Sequence, residues 1–282
     1  MIRRHIEIEA RWFHWLCGIF ESEGAFTRAI PSAPRRPRMA VSMTEREIIE
    51  RVADLVGARV YAHKLAQHYR QAFRTELVGG SAVALIELLR PQMSQRRQGQ
   101  IDAAIATFQP LRLVKHKTFR LLPSVEQEAD RYWLAGYLEG QASFGRDKTA
   151  LLGVSPIVES RTTDLDVALR VSEIWYRRYG ISISIYTRRL RKAGYKPQYV
   201  VRAVGDDARW IINDIYELLS VQRRAQIDEQ SGGEWRQRAR LREQSALLYS
   251  VPMQPVNSLN ERRQPAVEHS AFIFSSSVPF II

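Results

Sequence analysis

Four oxygen-bearing side chains recur in pairs: Glu21 and Glu23 in one stretch of the chain, Glu139 and Gln141 in another. The stretch from Trp15 to Phe26, WLCGIFESEGAF, is echoed from Trp133 to Phe144, WLAGYLEGQASF, with Trp, Leu, Gly, Glu and Phe at matching places. Each copy reads as a helix that stops at its polar tail, at Glu23-Gly24 and at Gln141-Ala142. A helix C-terminus carries partial negative charge and unsatisfied carbonyls, so a carboxylate placed there favours a hard cation such as magnesium. A second echo lies downstream, where Gln95-Arg96-Arg97-Gln98-Gly99-Gln100-Ile101-Asp102 is answered by Gln222-Arg223-Arg224-Ala225-Gln226-Ile227-Asp228. The arginine fork matches phosphate oxygens two at a time, so duplicated acids and arginines point to a phosphate-bearing partner.

Two landmarks in the same order imply a duplicated unit. In the first unit the pattern predicts strands at 25–30, 38–44, 58–64 and 70–78, with helices at 45–56, 80–90 and 95–108. The second predicts strands at 142–148, 153–158, 181–189 and 197–204, with helices at 163–179, 206–219 and 222–230. The domain reading is a first unit at 1–108, a linker at 109–130 marked by Pro110 and Pro123, a second unit at 131–230, and a C-terminal helix and tail at 231–282. The strand at 181–189 is the cleanest local signal, with Ile181, Ile183 and Ile185 facing one way and Ser182, Ser184, Tyr186 and Arg188 the other. Arg35, Arg36 and Arg38 stand at the expected tip of the first hairpin, within reach of phosphates.

The charge balance agrees. With 42 Lys and Arg against 30 Asp and Glu the chain carries a formal +12, and only Lys64, Lys115, Lys117, Lys148, Lys192 and Lys196 are lysines. Hydrophobic residues make up 45% of the 282, enough for a sizeable core, and this excludes a disordered or low-complexity chain. Cys17 is the only cysteine, which excludes an internal disulfide and a multi-cysteine zinc site. No apolar run approaches the roughly 20 residues that span a bilayer, and no signal-peptide pattern opens the chain, so a soluble, intracellular protein without a membrane partner is expected. His63 and His68 lack a supporting acid and read as strand-end and loop residues, and Cys17 reads as a packed small hydrophobe.

The paired motifs resemble those of single-chain LAGLIDADG homing endonucleases, and the likeness extends through about residue 230. It implies an α+β fold: a pseudo-twofold duplicated αββαββα unit, two antiparallel sheets forming a DNA-binding saddle, and the motif helices side by side at the interface. Gly18 and Gly136, with Cys17 and Ala135, would let those two backbones approach. The resemblance further implies a monomer that uses Mg2+ or Mn2+ to hydrolyse both strands of a long double-stranded DNA site, leaving 3′ overhangs. By position Glu23 is the metal-binding acid of the first motif, and Gln141 stands where the second acid belongs. The arginines at 96, 97, 223 and 224 fall where the family carries a basic residue near the scissile phosphates. Arg28, Arg74, Arg146, Lys148 and Arg202 join the hairpin arginines and the polar face of 181–189 as expected DNA contacts.

Glutamine supplies a neutral carbonyl oxygen and no negative charge. One reading is therefore an endonuclease that treats the strands unequally, at the limit a nickase. The alternative is a catalytically degenerate nucleic-acid binder, resembling RNA maturases that act on intron RNA or DNA-binding regulators. A basic RNA-binding protein that never used metal is the competing class.

Overall fold

The order of the elements repeats. The computed structural model describes residues 5–28, 36–63, 71–106, 108, 116–123, 128–147, 155–188 and 196–231. β1 (His5–Glu9) runs directly into α1 (Ala10–Glu23), followed by β2 (Gly24–Arg28), β3 (Pro37–Met43), α2 (Arg46–Val56), β4 (Val60–His63), β5 (Ala72–Val78), α3 (Gly80–Leu89) and α4 (Gln95–Ile105). β6 (Thr118–Leu122) then leads to α5 (Ala129–Gln141), β7 (Ala142–Asp147), β8 (Ser155–Thr162), α6 (Leu165–Tyr179), β9 (Tyr186–Arg188), β10 (Gln198–Val204), α7 (Asp206–Ile215) and α8 (Val221–Ser231). A single 3-10 turn precedes the last helix of each series, at Arg90–Gln92 and Tyr216–Leu218. These elements belong to one compact unit, Met1–Glu243; a second, Gln244–Ile282, lies outside the described residues.

Two four-stranded antiparallel sheets result, ordered β2-β3-β5-β4 and β7-β8-β10-β9. Their registers correspond: Gly24 pairs with Val41 in the first and Ala142 with Ser160 in the second. α2 and α6 end alike, at Gly57 and Gly180 with φ of 61° and 69°, a left-handed turn that glycine adopts without strain. Among the described residues no helix is long and apolar enough to cross a membrane.

Two expectations need correcting. The segment read as a linker contains β6, which pairs in parallel with β1 from His5↔Thr118 to Glu9↔Leu122. The strand expected over 181–189 forms a ladder only as β9, paired with β10 from Gln198↔Arg188 to Val200↔Tyr186. Upstream, Ile181 is buried, Ile183 and Ile185 pack against the core, and the Ser172 hydroxyl of α6 donates to the Ile183 carbonyl at 3.3 Å. The alternating pattern there reports one-sided burial on a helix, which an unpaired extended segment satisfies equally well.

α1 and α5 form the centre. Trp15 and Trp133 are 0% and 1% exposed, and burial runs almost continuously from Phe13 to Ser22 and from Tyr132 to Glu139. The contact is backbone on backbone: a Cβ added to Gly18 would collide with the Trp133 carbonyl, and one added to Gly136 with the Trp15 carbonyl. A glycine inside a helix costs about 1 kcal/mol relative to alanine, and here the close approach is its return.

The halves also brace each other reciprocally. In α2, Arg51 lies over the Trp15 ring (5.3 Å) and donates to the Leu218 carbonyl of the second half at 3.0 Å. In α6, Arg170 lies over the Trp133 ring (4.1 Å) and donates to the Gln92 carbonyl of the first half at 2.6 Å. Glu47 accepts from the Val221 N–H and Asp166 from the Gln95 N–H, so each half satisfies an orphan donor at the start of the other's last helix. Gly18→Ala and Gly136→Ala are each expected to destabilise by roughly 3 kcal/mol or more, because two backbones must part. For a chain of this size that lowers Tm by on the order of 10 °C in a calorimetric scan, against little change for Gly99→Ala, where an added Cβ meets nothing within 4 Å.

Candidate active site and nucleic-acid interface

Glu23 and Gln141 are the last residues of α1 and α5, so the contact that joins the helices also brings these two side chains to one seam. Gly140 adjoins Glu23 directly: a Cβ there would stand 2.6 Å from Ser22 Oγ and 2.8 Å from Glu23 Oε1. Burial pushes the Glu23 carboxyl up, Arg97 and Arg223 oppose that rise, and Glu45 adds to it. The carboxylate thus faces cations from both halves.

Behind each helix end lies the same network. In the first half the Glu21 carboxylate accepts from the Ser94 N–H and hydroxyl, both at 2.7 Å. Ser94 is the N-cap of α4 and accepts from the Arg97 N–H at 3.3 Å. The Arg97 guanidinium returns to α1, donating to the carbonyls of Glu21 (2.9 Å), Ser22 (3.0 Å) and Gly24. In the second half Glu139 accepts from the Ser220 N–H (2.9 Å) and hydroxyl (2.7 Å), and Arg223 donates to the Glu139 carbonyl at 2.8 Å. Burial raises the proton affinity of both glutamates, their serines opposing it, and burial lowers that of Arg97. Buried Arg97 and partly exposed Arg223 therefore satisfy orphan carbonyls at the two helix ends, where a cation also complements the dipole.

This geometry sets the register of the arginine pairs. Arg97 corresponds to Arg223 and Gln100 to Gln226, each arginine donating to its glutamine, at 3.0 and 3.2 Å. Arg96 then corresponds to Gln222, and Arg96 Nε binds Asp164 at 2.6 Å. Arg224 lies 3.4 Å from Glu217.

The expected nucleic-acid contacts divide. On the first sheet Arg38 donates to Glu76 at 2.8 Å and Arg74 lies 3.1 Å from the same carboxylate, so one acid holds two arginines, all three partly buried. On the second, Glu159 receives Arg161 and the Tyr186 hydroxyl (3.3 Å) and stands opposite Arg202 in the ladder. Tyr186 and Arg188 are exposed on β9, and Ser182 and Ser184 are exposed just upstream. Arg36 is exposed at the bend before β3. Arg28 and Arg146 are occupied elsewhere: Arg28 donates to the Ala103 carbonyl of α4 at 3.0 Å, and Arg146 to the Glu229 (2.8 Å) and Gln230 carbonyls of α8. Arg35, Lys148 and His68 lie outside the described residues.

Ser94, Ser220, Glu45, Asp164 and Arg161 escaped the sequence reading. The signal was a Ser-x-x-Arg spacing that recurs at 94–97 and 220–223.

The chemistry of the donors decides what the seam can hold. Among the described residues no three His, Cys, Asp or Glu side chains gather as a metal cage. Magnesium is commonly bound by one or two carboxylates with substrate phosphates and water, which Glu23 fits. Gln141 does not fit as an equal partner, since it brings no charge.

No protein-family model matches the sequence, and no curated protein matches it. Among solved structures the chain is similar to LAGLIDADG homing endonucleases. One is I-GzeII in complex with its DNA target, at 12% identity over 85% of this chain and 93% of that one, with a TM-score of 0.48. Another is I-SmaMI bound to cleaved DNA, at 12% identity, 84% and 92% coverage and a TM-score of 0.46. A third is I-DmoI with DNA and Mn, at 10% identity, 73% and 96% coverage and 0.44.

Glu21→Ala and Glu139→Ala are each expected to cost about 3 kcal/mol or more, because each removes a buried carboxylate shared by a serine and an arginine. Denaturant unfolding should show similar losses for the two, as the duplicated network requires, and a much smaller one for Glu217→Ala at the exposed Arg224 contact.

Proposed function

We propose that the chain binds a long double-stranded DNA site with its two sheets and hydrolyses a phosphodiester beside Glu23, treating the strands unequally. The observation that carries this reading is the pairing of one acid and one amide at the ends of two helices in backbone contact. Support comes also from the arginine-bearing sheet faces and from the duplicated motif.

Each residue has a role in this reading. Glu23 would hold Mg2+ or Mn2+ through its carboxylate, and Gln141 would offer an amide oxygen from the other side of the seam. A divalent ion bound there makes water a usable nucleophile near neutral pH and offsets charge on the attacked phosphate. Arg97 and Arg223 position the reaction by fixing the helix ends, and being always protonated they serve as no general base. Arg38, Arg74, Arg188 and Arg202, with Tyr186, meet the DNA, and the acids between them hold the arginine forks in place until phosphates compete for them.

The test is cleavage of a supercoiled plasmid carrying the DNA that flanks the protein's own coding sequence, with Mg2+ or Mn2+. Nicked circles are expected to accumulate well ahead of linear product. Glu23→Gln should lower the nicking rate by roughly 10²-fold or more while gel-shift affinity stays within a few-fold. Linear product formed without a nicked precursor, or nicking that survives Glu23→Gln, overturns the assignment. Binding without any nicking selects the second reading, a nucleic-acid binder whose missing acid marks lost catalysis, and comparison of duplex DNA with structured RNA then identifies its ligand.

A further inference from the structure

The pseudo-twofold relates five pairs of positions around the helix ends, and their chemistry differs sharply. By the sheet registers and the Ser-x-x-Arg spacing, Glu23, Ser42, Thr44, Glu45 and Gln222 are answered by Gln141, Arg161, Thr163, Asp164 and Arg96, which gather at the end of α5. The first set has two carboxylates and no cation. The second has two arginines, one carboxylate and an amide.

The second set opens into a cavity of about 240 Å3, lined by Gln141, Arg96, Arg161, Thr162, Thr163 and Asp164 among others. Its acids are already engaged: Asp164 accepts from Arg96 Nε at 2.6 Å, and Glu21, which also reaches the wall, accepts both Ser94 donors at 2.7 Å. The donors are not. Among the described residues Asp164 is the bonded partner of Arg96, through Nε alone, so both Nη groups remain, and Arg161 uses Nε and Nη2 on Glu159. The Gln141 amide adds two more N–H donors. A polar cavity rich in unspent N–H donors, with two guanidinium groups at its edge, suits an anion rather than a cation.

We propose that this cavity is a phosphate site, which takes a backbone phosphate of the DNA strand on the α5 side, with Arg96 supplying the charge that a divalent ion supplies beside Glu23. The proposal rests on the reading of the chain as a DNA-binding protein with one metal-binding helix end. It adds that the second end is a clamp: it neutralises a phosphate and offers no activated water, since an arginine cannot accept a proton.

The probe is inorganic phosphate, titrated into the full chain in EDTA and followed by calorimetry, beside Arg96→Gln and Gln141→Glu. The second variant keeps the Arg96–Asp164 pair and so separates loss of the site from loss of the fold. Both are expected to weaken phosphate binding by roughly tenfold or more. On duplex DNA, Arg96→Gln should reduce the slope of log affinity against log salt by about one. Gln141→Glu should also bind one further equivalent of Mn2+, counted by electron paramagnetic resonance. Phosphate affinity unchanged in both variants overturns the site, and an unchanged salt slope overturns its assignment to DNA and leaves free phosphate as the ligand. A chain that holds phosphate here but never nicks plasmid refutes the nuclease reading and keeps the clamp; one that nicks but ignores phosphate refutes the clamp alone.

Discussion

Everything at the centre of this molecule depends on two backbones touching where Gly18 meets Gly136. Close-packed interiors tolerate little change in volume, so an added methyl at either position would have to be absorbed by separating the helices. The seam at Glu23 and Gln141 lies about a turn further along the same two helices, and its geometry follows from that contact. The reciprocal arginines reinforce it from outside, Arg51 from the first half and Arg170 from the second, each lying over the partnered tryptophan and reaching a carbonyl of the opposite half.

The duplication is faithful where it supports structure and unfaithful around Gln141. Glu21, Ser94 and Arg97 are matched by Glu139, Ser220 and Arg223 with distances that agree within a few tenths of an ångström. A buried carboxylate and a buried guanidinium cannot be exchanged singly without leaving a charge uncompensated, which holds both copies to one solution. The positions around Gln141 differ in charge from their counterparts in the other copy. Electrostatic character at the seam thus differs between its two sides while the scaffold beneath stays symmetric.

Much of this was legible in the residues. The motif helices announce themselves because tryptophan, leucine and glycine recur at helical spacing, and their ends at Glu23 and Gln141 fall where the polar residues begin. The strands of the two sheets followed from alternation and lie within a few residues of expectation, except at 181–185, where alternation records burial against α6. β1 and β6 went unread because each is short, carries charged residues and becomes a strand only through a partner far along the chain. The Glu21–Ser94–Arg97 network was hidden for a similar reason: a serine gives no sign of its acceptor 73 residues away. Its repetition at Ser220 was the available clue, and the one-residue difference between the arginine echoes obscured which members correspond.

The parallel ribbon of β1 and β6 has a bearing on how an exposed edge is avoided. Each strand leads into one of the two central helices, so the pair joins the beginning of one half to the beginning of the other. The pairing is parallel, whereas neighbouring strands within each four-stranded sheet pair antiparallel. A lone half would begin with a strand whose backbone donors and acceptors had no neighbour, an exposed edge that invites a second copy. The ribbon therefore closes that edge with a strand from far along the chain, so that the segment entering the second central helix also shields the segment entering the first.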